Sequence, residues 1–191
     1  MFLYGSVYPI GKIATLSLPP ILFAALRVLI IFIGILPFFR FKLPSKKLLP
    51  LLFAFSFVMG IGVYLPLYLA LHISSVVSPI IVGAQLAVPF GLLLSFIFLK
   101  EKIYIKKWIL ISLSFLGIII VSYSPNFINE WISLLLISIM AFFYALANIL
   151  SRKLKDIDTI SQIGWHSFLS ILPLFFISFI FEGNPINFIL P

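Results

Sequence analysis

Cysteine is absent from the 191-residue chain, which removes disulfides, thiol catalysis and thiolate metal sites from consideration. Charge is also scarce: Asp, Glu, Lys and Arg together make up 9% of the residues. The five acidic residues, Glu101, Glu130, Asp156, Asp158 and Glu182, all fall in connectors between apolar stretches. There are two histidines, His72 and His166, placed toward opposite ends of their apolar stretches. Without cysteine or an embedded carboxylate, no catalytic dyad, metal cluster or cofactor site assembles at matched depth, and an enzyme is not expected. The first residues carry no basic cluster and no small-residue cleavage site, so the N-terminus does not read as a removable signal peptide.

What the sequence has in excess is apolar surface. Hydrophobic residues make up 63% and aromatics 17%, and mean hydropathy is +1.27, more than one water-soluble core can hide. Leu48 to Leu71, Val76 to Leu99 and Trp131 to Leu150 hold no charged residue, and each is long enough as a helix to cross a hydrocarbon layer of about 30 Å. The pattern predicts an all-α polytopic membrane protein with about seven transmembrane helices, near 1–15, 20–39, 48–71, 76–99, 107–123, 131–151 and 161–181.

Of thirteen basic residues, eleven lie in alternate connectors. Arg40, Lys42, Lys46 and Lys47 follow the second helix; Lys100, Lys102, Lys106 and Lys107 follow the fourth; Arg152, Lys153 and Lys155 follow the sixth. Short basic loops stay in the cytoplasm, so the N-terminus is expected in the cytoplasm and residue 191 outside. The net charge of +8 sits between apolar spans rather than along one soluble face, which argues against nucleic acid as a partner. The partner this composition calls for is the lipid bilayer.

Two basic residues fall outside the connectors. Lys12 shares a face with Tyr8 in the first helix and reads either as an interfacial anchor or as a cavity residue. Arg27 lies seven residues past Pro20, too deep to snorkel easily, and a cation there costs about 2.5–3.5 kcal/mol on insertion scales. It either bonds backbone carbonyls or lines a polar cavity. Gln85, Asn148 and His166 are the other strongly polar residues at depth, with Tyr64, Tyr68 and Trp165 offering polar edges. For each amide, helix-to-helix bonding competes with a ligand role, and His166 is either a packed core histidine or a proton carrier. Gly60, Gly62 and Gly83 are expected to let helices approach closely, and Pro9, Pro37, Pro66, Pro89 and Pro173 to bend or end them.

A weak internal echo runs through the chain. Tyr8-Pro-Ile-Gly-Lys12 matches Tyr144-Ala-Leu-Ala-Asn148, and Pro20 precedes Arg27 by seven residues as Thr159 precedes His166. The echo pairs Lys12 with Asn148 and Arg27 with His166, on helices running in opposite directions. Inverted repeats of this kind place carrier sites at their interface near the midplane.

Gly5-Ser6, Lys12, Leu18-Pro19-Pro20, Phe23-Ala24-Ala25-Leu26-Arg27, the run Ser78 to Phe90, Phe98-Leu99-Lys100-Glu101-Lys102 and Gly117 together resemble the first repeat of EamA-like carriers in the drug/metabolite transporter superfamily. The stretch Ala141 to Lys153 with Trp165 resembles the amino-acid-metabolite exporters among them. The resemblance implies a ten-helix, two-repeat secondary transporter of a bacterial inner membrane. Residues 1–123 would form the first five-helix repeat and 124–191 the start of an inverted second one, so the chain is expected to be shortened relative to that family.

The function expected is efflux of small, amino-acid-like metabolites through a cavity formed by Lys12, Arg27, Tyr64, Gln85, Asn148, Trp165 and His166. Lys12 or Arg27 would hold a substrate carboxylate. A second expectation is a membrane subunit or inactive fragment that does not transport, with a homodimer or further C-terminal helices completing the bundle.

Overall fold

A computed structural model describes residues 2–39, 41, 44–100, 104–122 and 130–183. Among them are seven helices and no strand. These are α1 Phe2–Ser17, α2 Pro20–Ile35, α3 Leu49–Ile73, α4 Ser78–Leu99, α5 Ile105–Ser122, α6 Trp131–Lys153 and α7 Thr159–Glu182. The apolar runs therefore become helices close to the expected boundaries, and the chain is an all-α polytopic membrane protein. Helices α3, α4, α6 and α7 are long and apolar enough to cross a bilayer by length and composition. Helices α1 and α2 have sixteen residues each, roughly 24 Å of rise, and are shorter than a full span. The expected second helix, 20–39, closes at Ile35 and continues as turns through Phe38.

Proline sets several of these boundaries. Pro20 opens α2, where its missing N–H is no loss, and Pro79 sits in the first turn of α4. Inside α4, Pro89 cannot donate to the Gln85 carbonyl four residues back. The Val88 N–H takes that carbonyl instead at 3.0 Å, and the helix tightens and breaks at Gln85–Leu86. In α3, Pro66 likewise denies a donor to the Gly62 carbonyl, and the preceding stretch Val58–Tyr64 widens into a π-helix. Lys100, in the left-handed region at φ 53°, ends α4.

Helix α3 is the hub, touching α1, α2, α6 and α7. Helix α2 lies along α7, α6 is packed between α3 and α4, and α5 leans chiefly on α4. Glycines permit these approaches, Gly62 against Phe143 of α6 among them. A β-carbon on Gly60 would overlap Ser170 of α7, and one on Gly83 would overlap the Ile137 side chain of α6. Successive helices alternate in direction, so α1 and α6 run antiparallel. One end of the bundle, the basic end, carries Lys100 and Lys153, the latter over the Phe98 ring at 5.6 Å; the other, the acidic end, carries Glu130 and Glu182.

The acidic end is closed by side chains that cap helix termini in place of local residues. Glu182, at the end of α7, accepts the Ile21 and Leu22 N–H groups at 2.7 and 2.8 Å, and the Ser178 hydroxyl at 2.8 Å. Pro19 offers no capping side chain, so a carboxylate from across the interface meets the positive end of α2. Glu130, just before α6, accepts both the Ser75 N–H, at 2.7 Å, and the Ser75 hydroxyl. These bonds hold the Glu130 carboxyl below its ordinary value even though burial alone would push it up. His72 donates from Nδ1 to the Thr15 carbonyl at 2.8 Å.

Candidate binding cavity

Arg27, at the centre of α2, projects toward α3. Its Nη1 donates to the Tyr68 hydroxyl at 2.6 Å, and its guanidinium lies 5.0 Å from the Tyr64 ring centre and 5.8 Å from that of Tyr68. Tyr68 is 1% exposed and is held from its other side by an edge contact with Phe23 at 5.0 Å. The cation thus sits in an aromatic bracket that offsets part of its desolvation. Among the described residues no acidic side chain pairs with it.

Beside Arg27 lies a cavity of about 310 Å³, bounded by α1, α2, α3, α4 and α6. Arg27, Tyr64 and Gln85 of the expected set line it, together with Tyr8 from α1, Tyr144 from α6 and Met140. The π-helical stretch supplies Met59, Val63 and Tyr64, and the break in α4 supplies Gln85. Both irregular segments therefore face the same space, as expected where backbone departs from α geometry within a membrane. The cavity is open on the α4 side, where Gln85 and Val88 are exposed.

The other expected residues lie elsewhere. Lys12 turns away from the cavity and donates to the His72 and Ser74 carbonyls at the end of α3, a cap on that helix's negative end. Asn148 is exposed on the outer face of α6, because the buried stripe there runs through Ala141, Ala145, Ala147 and Ile149. Trp165 packs against Phe39 at 5.5 Å and Phe168 at 6.0 Å near the basic end. His166, 3% exposed, backs the cavity wall rather than lining it. Its ring meets Tyr64 at 5.7 Å, and its Nδ1 lies 3.3 Å from the Ser170 hydroxyl, which donates to the Ser56 carbonyl.

Tyr8 and Tyr144 did not figure among the expected site residues. The signal was present, since they open the two matching stretches of the internal echo. The pair that meets in the cavity is the tyrosines, not Lys12 and Asn148, four residues further on.

The fold and this cavity define the chain as a multi-pass helical membrane protein with a charged pocket between its helices. Residues 1–123 match the EamA-like transporter family, and the chain belongs to that family. No curated protein and no solved structure matches it. The family consists of membrane transporters of small solutes rather than enzymes.

Proposed function

We propose that the protein is a secondary carrier exporting small, amino-acid-like metabolites across a bacterial inner membrane. The N-terminus and the basic connectors face the cytoplasm on this reading, in keeping with the retention of Lys- and Arg-rich short loops there. The observation that carries it is Arg27, a cation at mid-helix facing a cavity without an acidic partner among the described residues. An embedded charge is costly and is retained where it serves a pathway or ligand. Arg27 would hold the substrate carboxylate, Gln85 a second polar group, and Tyr8, Tyr64 and Tyr144 the body of the solute.

The antiparallel α1 and α6 both contribute a tyrosine to the cavity, which supports reading 1–123 as one repeat and 124–191 as the start of an inverted second. The test is solute flux in proteoliposomes, wild type against Arg27→Leu. Flux in the wild type and its loss in the variant is the expected result; equal flux in both overturns the site.

A second reading, a membrane subunit that does not transport, is favoured by one feature. Gln85, an exposed amide in an apolar helix, suits a cavity wall completed by a second copy of the chain. Absence of wild-type flux together with a crosslinked dimer through α4 would support that reading.

A further inference from the structure

Resting on the carrier reading, we propose that the cavity selects solutes with a single carboxylate and no free ammonium group: the deaminated or N-acylated relatives of amino acids rather than the amino acids themselves. The argument begins with what faces the pocket. Arg27 is the charged residue of the lining, and no Asp or Glu among the described residues shares that lining. Glu130 and Glu182 are committed to Ser75 and to the first turn of α2 at the acidic end. Asp158 caps α7 at the basic end.

A zwitterion placed here would satisfy its carboxylate on Arg27 and leave its ammonium to be desolvated without a carboxylate partner. That asymmetry penalises the free amine. The guanidinium keeps further N–H donors beyond the one given to Tyr68, enough for a paired contact with a carboxylate.

The walls fix the rest of the solute. Val63, Leu67, Val88 and Met140 are apolar, and Met59 and Met140 adapt to irregular shapes. The volume of about 310 Å³ is roughly twice the ~150 Å³ that holds a benzene ring, which suits a ring or branched chain carrying a short acid tail. The opening on the α4 side, past exposed Val88, suits a solute with an apolar body.

Three matched probes test this: 3-phenylpropanoate, phenylalanine and 3-phenylpropylamine, which differ in charge while sharing one ring and a three-carbon chain. Binding to the purified full-length protein in detergent is measured by calorimetry. The expected order is 3-phenylpropanoate tighter than phenylalanine by about tenfold or more, with the amine not competing. Arg27→Gln should abolish the preference, and the wild-type order stands as a measurement even if that variant misfolds. Phenylalanine binding as tightly as the acid, competition by the amine, or binding of none of the three overturns the proposal. Anion binding without flux in proteoliposomes would instead overturn the carrier reading and leave this selectivity standing. Flux of amino acids in preference to their deaminated acids would do the reverse.

Discussion

The Tyr68 hydroxyl accepts a 2.6 Å hydrogen bond from Arg27 across the interface of α2 and α3. The Tyr68 hydroxyl is buried and takes its partner from Arg27, which is half-buried and keeps further donors toward the cavity. Tyr68→Phe conserves the ring and its edge contact with Phe23 while removing the acceptor. It should lower stability by about 1 kcal/mol, the net worth of one lost hydrogen bond, read as a fall in the thermal midpoint in detergent.

Gly60 and Ser170 touch with no room between them. Gly60→Ala should therefore destabilise by about 1–3 kcal/mol through overpacking. Combining it with Ser170→Gly should recover part of that loss in a double-mutant cycle. Gly91→Ala makes the contrast, since a β-carbon there meets nothing within 4 Å; it should leave stability unchanged or slightly raised.

Glu130 supplies a dependence on acid. Its carboxyl is held below the ordinary 4.5 by the Ser75 bonds. A depressed folded value means that its contribution is fully present above about 4.5 and is lost as pH falls through the lower, folded value. Thermal midpoints of the wild type and Glu130→Gln, followed from pH 7 down to pH 3, should differ most at neutral pH and converge in acid. A constant difference would contradict this assignment.

Lys12 and Arg27 are separable by experiment although both are cations near the membrane interior. Lys12→Met removes the cap on the Ser74 and His72 carbonyls and should lower stability by about 1 kcal/mol. It should leave the affinity for a carboxylate probe unchanged within twofold. Arg27→Gln should do the opposite to affinity.

The seven helices were legible because apolar runs, basic connectors and paired prolines mark the same boundaries. That Arg27, Tyr64 and Gln85 line a cavity was legible because a polar group deep in an apolar helix must meet another polar surface. Lys12 and Asn148 were not placed by the same logic. A lysine stem can reach the end of a neighbouring helix, and which face of α6 is left uncovered depends on packing with α3 and α4. Nor does spacing reveal that Glu182 reaches back more than 150 residues to cap α2. What the echo did carry was the tyrosine pair, which lines the cavity where the lysine and asparagine do not.

The Glu182 cap has a mechanical consequence. At the acidic end it ties α7 to the first turn of α2, while near the basic end Phe39, just beyond α2, lies against Trp165 and Gly164 of α7. A pair of rods pinned at both ends cannot scissor. Any widening of the cavity must swing α2 and α7 together, carrying Arg27 as fixed cargo, or else yield at the break in α4 and the widened turns of α3.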